Sequence, residues 1–127
     1  GVSAIVDEIS TVTVYMAGFL LAVCSGLVFL GLIFPIERLP RWSRTHDKLL
    51  HAAAFALLAV LASLSMPGTQ AVVIWMVLAA AGLMGEVAQH LSPHRQFCWR
   101  DAVANALGAA AGLTGFQWWL WCWANVV

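Results

Sequence analysis

Apolar residues fall in four long runs, each closed by polar or helix-breaking positions. The first covers about 12–34 and stops at Pro35, with charged residues between it and Pro40. The second covers about 48–66 and ends in Met66-Pro67-Gly68, a tight-turn signal. The third covers about 71–91 and is closed by Ser92-Pro93, and the fourth covers about 101–123. The runs are rich in Ala and Leu and do not alternate, which argues for helices over strands. Each is long enough to cross a hydrocarbon layer of ~30 Å. A helix also satisfies its own backbone polar groups inside lipid. The pattern predicts an all-α, integral membrane four-helix bundle occupying residues 1–127 as one domain.

Composition sharpens this picture. Hydrophobic types make up 62% of the 127 residues and charged types 9%. Soluble domains run near about one half and one quarter, so a water-soluble globule is disfavoured. Six basic residues meet six acidic ones, and a net charge of zero gives no bulk attraction to nucleic acid. Cys24, Cys98 and Cys122 form no metal-binding or redox spacing and read as packed free thiols. The segment from Gly1 to Thr11 carries Asp7 and Glu8 and no Lys or Arg. A signal peptide needs a basic start, so the first run is expected to be a retained span. The absent initiator Met suggests trimming or incomplete numbering.

Charge also predicts orientation. Arg38, Arg41, Arg44 and Lys48 lie between runs one and two, and Arg95 and Arg100 between runs three and four. The positive-inside rule then puts both long connections in the cytoplasm and both termini outside. Trp118, Trp119, Trp121 and Trp123, with Trp75 and Tyr15, mark the outer headgroup belt, and Trp42 and Trp99 the inner one. Small residues recur at helical spacing: Gly108 and Gly112, then Gly115, on run four, Gly82 and Gly85 on run three, Ala52, Ala53 and Ala54 on run two. They predict close backbone packing within the bundle, with a homodimer seam as the other use.

The chemistry is concentrated at one end. Asp47 and His51 are four apart on run two; Glu86, Gln89 and His90 share a face of run three; Asp101 and Asn105 are one turn apart on run four. Alternating topology brings these ends to the same side. Glu86 lies roughly 7 Å inside its helix end. An ionisable group there must face the bundle and find a partner, and His51, Arg95 and Asn105 are the candidates. A plainer account stands beside this one. Asp47 and Asp101 can serve as helix caps, Asn105 as an interhelical hydrogen bond, and the basic residues as headgroup contacts.

The residues Asp47-Lys48-Leu-Leu-His51, Gly85-Glu86-Val-Ala-Gln89, Arg95, and Asp101-Ala-Val-Ala-Asn105-Ala-Leu-Gly108 resemble the VanZ-like family of small bacterial membrane proteins. The likeness runs from about Asp47 to Gly112, roughly half the chain, across three helices; His90, His94, Trp99 and Arg100 lie outside it. It implies a cell-envelope role of the kind linked to glycopeptide resistance. It carries over Asp47, Lys48, His51, Glu86, Gln89, Arg95, Asp101, Asn105 and Gly108 as motif residues, with no chemical role assigned to each.

Three functions compete. In the first, Lys48, Gln89, Arg95, Asp101 and Asn105 bind an anionic or polyprenyl-linked lipid headgroup. Any chemistry then uses His51 as general base, with Asp47 or Glu86 orienting it. The residues do not separate an enzyme from a lipid-binding protein. In the second, Asp47, His51, Glu86, His90 and Asp101 ligate a metal. Arg95 opposes a cation, so no metal and no cofactor are expected. In the third, the chain is a non-catalytic accessory subunit of a larger membrane complex. Membrane lipids are the expected partners, with a homodimer or a larger assembly beside them.

Overall fold

The computed structural model describes residues 1–33, 47–90 and 99–126. They form four helices: α1 (Val2–Ile33), α2 (Asp47–Ser65), α3 (Ala71–His90) and α4 (Trp99–Val126). There is no strand among the described residues, and the chain is an all-α bundle.

Two helices are longer than their apolar runs. α1 begins at Val2 rather than near position 12. No Pro or internal Gly interrupts the polar segment before it, and the Thr11 hydroxyl donates to the Asp7 carbonyl at 2.9 Å within the helix. At 1.5 Å per residue, its 32 residues reach ~48 Å, more than a hydrocarbon layer needs. α4 has 28 residues and extends beyond both ends of the predicted run.

Three helices carry segments long and apolar enough to cross a membrane: Ser10–Val28, Lys48–Ser65 and Ala71–Ala88, with mean hydropathies of 1.9, 1.8 and 2.0. α4 is not among them. It is long enough, but Arg100, Asp101, Asn105, its glycines and its tryptophans dilute its hydropathy. Its place beside α2, and not its hydropathy, makes it part of the bundle.

Cross-helix pairs fix the directions. Lys48 meets Asp101, His51 meets Asn105, Ala52 lies at Gly108 and Ala56 at Gly112. Partners advance together, so α2 and α4 run parallel. Gly18 on α1 faces Ser65 at the far end of α2, while Ser25 and Val28 share a cleft with Phe55 and Leu58, so those two are antiparallel. The connection from α2 to α3 is a tight turn. Pro67 takes its second position, and the Thr69 N–H donates to the Met66 carbonyl at 3.0 Å. The last turns of α1 and α3 and the first turns of α2 and α4 therefore share one end of the bundle.

The α2–α4 seam is the most extensive helix contact. It is built from the absence of side chains. A Cβ on Gly108 would lie 2.6 Å from the Ala52 Cα, and one on Gly112 2.8 Å from the Ala56 Cα. Such approach gains backbone dispersion contacts where lipid offers no hydrophobic incentive. Phe55, Ala59, Ala62, Ile74, Ala109 and Leu113 continue the seam as a buried core. Outside it, Tyr15, Phe19, Leu27, Met84 and Trp121 are each more than half exposed, as suits a surface solvated by acyl chains. The Ser63 and Ser65 hydroxyls donate to the Ala59 and Ala62 carbonyls, at 2.9 and 3.2 Å, so neither is presented bare.

Candidate functional site

At the shared end, three buried polar groups stand together. Glu86 is 1% exposed, Asn105 2% and Asp101 9%. Glu86 comes from α3, one turn before its end, and Asn105 and Asp101 from the first two turns of α4. His51, from the second turn of α2, completes the group. One donor atom each from His51, Glu86 and Asp101 lie within 4.8 Å of one another.

The bond between His51 and Asn105 sets the chemistry of the imidazole. His51 Nδ1 and Asn105 Oδ1 are 2.8 Å apart. A carboxamide oxygen only accepts, so Nδ1 carries the hydrogen. In the neutral ring Nε2 is then the lone-pair nitrogen, the form that can take a proton or bind a metal. The other half of the Asn105 amide fits against Gly82, where a Cβ would lie 3.0 Å from Nδ2. Gly82 thus makes the space in which Asn105 can hold His51.

Lys48 and Asp101 form an ion pair at 3.4 Å, with the lysine side chain 54% exposed and the aspartate 13%. The Asp101 Oδ1 is fully buried and receives no hydrogen bond. The Lys48 ammonium faces this same oxygen and is its Coulombic partner. Asp101 lies in the first turn of α4, where its charge also complements the helix macrodipole.

The sequence had named eight residues as candidates. His51, Glu86, Asp101 and Asn105 come together, and Lys48 stands at the rim. Asp47 opens α2 and Gln89 lies in the last turn of α3, but their side chains, and that of His90, fall outside the described residues, as does Arg95 altogether.

Trp75 was not among the candidates. Its indole N–H donates to the Ala106 carbonyl at 2.9 Å, beside Asn105. The ring ties α3 to the turn of α4 that carries the amide, a role beyond belt anchoring. The signal was present: Trp75, Gly82 and Glu86 recur at i, i+7 and i+11, one stripe of a helix. At the far end of α4 the aromatics do pack as an exterior cluster. Phe116 stacks on Trp119 at 6.2 Å, and Trp119 meets Trp123 edge-on at 5.9 Å.

An apolar cleft of about 440 Å³ lies between α1, α2 and α3. Ser25 and Val28 of α1, Phe55 and Leu58 of α2, and Ala81 and Met84 of α3 line it. Gly85 lines it too and precedes Glu86, while Phe55 lies one turn beyond His51. No known protein family, curated protein or solved structure matches the chain.

Proposed function

We propose that this is a VanZ-like protein of the bacterial inner membrane that binds or processes an anionic or polyprenyl-linked lipid headgroup. The observation that carries the reading is an apolar cleft whose walls include Gly85, next in the chain to Glu86, and Phe55, one turn from His51, so that it lies near the turns carrying the buried polar group. A lipid chain fits the cleft wall of Phe55, Leu58, Ala81 and Met84. Its headgroup then lies at the end where Lys48, half exposed, offers a cation. His51, with its proton fixed on Nδ1 by Asn105, supplies an Nε2 lone pair for proton transfer. A purely structural polar knot needs no nearby cleft. The positive-inside distribution supports cytoplasmic placement of this end and termini outside.

The test uses the full chain in nanodiscs of defined lipid. Native mass spectrometry measures retention of a polyprenyl phosphate and of an anionic phospholipid against a zwitterionic one, and phosphate release is assayed separately. The expected result is preferential retention of the phosphate-bearing lipids by the wild type, with that preference lost in Glu86→Gln and His51→Ala. Equal retention of all lipids, or variants that behave as wild type, removes the reading. Stoichiometric copurification with other membrane proteins, and no lipid preference, favours an accessory subunit instead.

A further inference from the structure

The glycines that suggest a dimer seam in the sequence are used up inside the bundle. Gly108 and Gly112 press on the Ala52 and Ala56 backbones, so a second copy cannot reach them. Another face of α4 is left over. Ala110, Thr114, Gln117 and Trp121 recur at i, i+4, i+7 and i+11, one stripe of the helix. Thr114, Gln117 and Trp121 are exposed. Ala110, Thr114 and Gln117 also line a shallow groove of about 240 Å³, with Val72 and Trp75 of α3 on its other side. We propose that this stripe is the contact between two copies of the chain, with α4 packed on α4 and the two Gln117 carboxamides paired with each other.

The depth of these side chains makes the contact necessary. Ala52 lies at Gly108 and Ala56 at Gly112, and the same register puts Thr114 level with Leu58 and Gln117 level with Leu61. Both leucines belong to Lys48–Ser65, the part of α2 long and apolar enough to cross a membrane. Acyl chains offer no hydrogen bond at that depth, so a hydroxyl or carboxamide there must be met by protein. Other polar side chains of the bundle are met by their own helices. Ser63 and Ser65 donate to carbonyls behind them, and Asn125 Nδ2 donates to the Trp121 carbonyl at 2.8 Å. Among the described residues, Thr114 and Gln117 make no such bond. Nor does Gln117 set out toward the nearer membrane surface. Cα–Cβ bonds tilt toward a helix N-terminus, which for α4 is the end that carries Asp101 and Asn105. The side chain therefore starts back along the groove that Leu113 and Thr114 also line.

Self-complementarity selects a second copy as the occupant. Copies inserted with the same topology are related by an axis along the membrane normal, so equal positions meet at equal depth. A carboxamide has donors and an acceptor, so two Gln117 side chains close a reciprocal pair, Nε2 of each donating to Oε1 of the other. A charged side chain at this place would repel its own copy. The spacing of the stripe is that of a left-handed helix pair, and Ala110 is small enough for close approach. α4 alone among the described helices lacks a segment apolar enough to cross a membrane. That suits a helix held by α2 and α3 on one side and by a copy of itself on the other. The contact is independent of the lipid reading, whose cleft lies between α1, α2 and α3.

Full-length protein carrying a donor or an acceptor dye at its N-terminus is mixed in liposomes, and energy transfer is followed as the protein-to-lipid ratio falls. A reversible monomer–dimer equilibrium is expected. Gln117→Leu should weaken dimerisation about 3–30-fold. Gln117→Asn keeps a carboxamide and should retain more of it, and Phe19→Leu, on the exposed face of α1, should leave it unchanged. In protein whose Cys24, Cys98 and Cys122 are replaced by Ala, Thr114→Cys should cross-link into a dimer on mild oxidation and Phe19→Cys should not. The cross-link reads the contact with Gln117 intact, so it stands even if Gln117→Leu fails to fold. Monomer at every protein-to-lipid ratio overturns the proposal. So does a dimer that forms equally well in Gln117→Leu, or one that cross-links through Phe19→Cys and not through Thr114→Cys. A monomer that captures a different membrane protein through this face, and loses it in Gln117→Leu, overturns it in favour of that partner.

Discussion

His51 Nδ1 and Asn105 Oδ1 meet at 2.8 Å across the parallel helices α2 and α4. This bond fixes helix register and imidazole tautomer at once, so a change in one partner is felt in both.

Asn105→Leu keeps the volume roughly constant but removes the acceptor. The Nδ1–H of His51 is then left in a part-buried place without its partner. A loss of about 1–3 kcal/mol is expected, the cost of an unmet buried donor. Thermal or chemical unfolding in a fixed detergent measures it. Nitrogen-15 spectra of labelled imidazole should also show the neutral ring redistributing between its two tautomers.

The α2–α4 seam predicts a steep response to small volume. Gly108→Ala places a methyl group 2.6 Å from the Ala52 Cα, and backbone cannot rotate away as a side chain can. The helices must separate, at a cost of about 1–3 kcal/mol or more. Gly115→Ala on the same helix meets nothing within 4 Å and should be neutral within about 0.5 kcal/mol. Comparing the two unfolding midpoints separates close approach from helix propensity, since both substitutions gain the same propensity.

The ion pair should be asymmetric under mutation. Asp101 is buried and Lys48 half exposed. Asp101→Asn removes a buried charge and leaves a lysine free to reach solvent, so the change should stay within about 1 kcal/mol. Lys48→Ala leaves the carboxylate buried and without its cation, and should cost more, about 1–3 kcal/mol. Stability of the two variants at one pH and ionic strength checks the order. The reverse order would mean that another group carries the neutralising charge.

These contrasts show what the sequence could and could not express. Helix positions were readable because Pro35, Pro67 and Pro93 punctuate apolar runs. That Glu86 must face the bundle and find a partner was readable, since an ionisable group inside an apolar run cannot stand alone, and His51 and Asn105 were named among its partners; its approach to Asp101 was not. An interhelical hydrogen bond from Asn105 was among the named options, but His51 was not identified as its partner, because depth along a helix does not fix rotation about its axis. Trp75 was assigned to the headgroup belt from its place near a helix start; an indole donating inward to Ala106 depends on the neighbouring helix, which no local pattern encodes. The start of α1 was missed for a simpler reason. Hydropathy marks where lipid begins, and a helix need not end there.

Gly82 offers the most discriminating test of the pocket's construction. A Cβ at this position would lie 3.0 Å from Asn105 Nδ2, 3.1 Å from Asn105 Cβ and 3.3 Å from Phe55 Cε1. Something must give by a few tenths of an ångström. Asn105 is restrained by His51, whereas the Phe55 ring borders the apolar cleft and has room on that side. Gly82→Ala should therefore be absorbed by Phe55 at a cost of about 1 kcal/mol, with the His51 tautomer unchanged. Gly82→Val adds a second methyl group that the ring alone cannot clear, so Asn105 must turn and its bond to His51 is lost. Adding Phe55→Leu should then recover stability in the alanine variant but not the tautomer in the valine variant. Equal recovery of both by Phe55→Leu would mean that the phenylalanine, and not the hydrogen-bonded amide, sets the shape of this space.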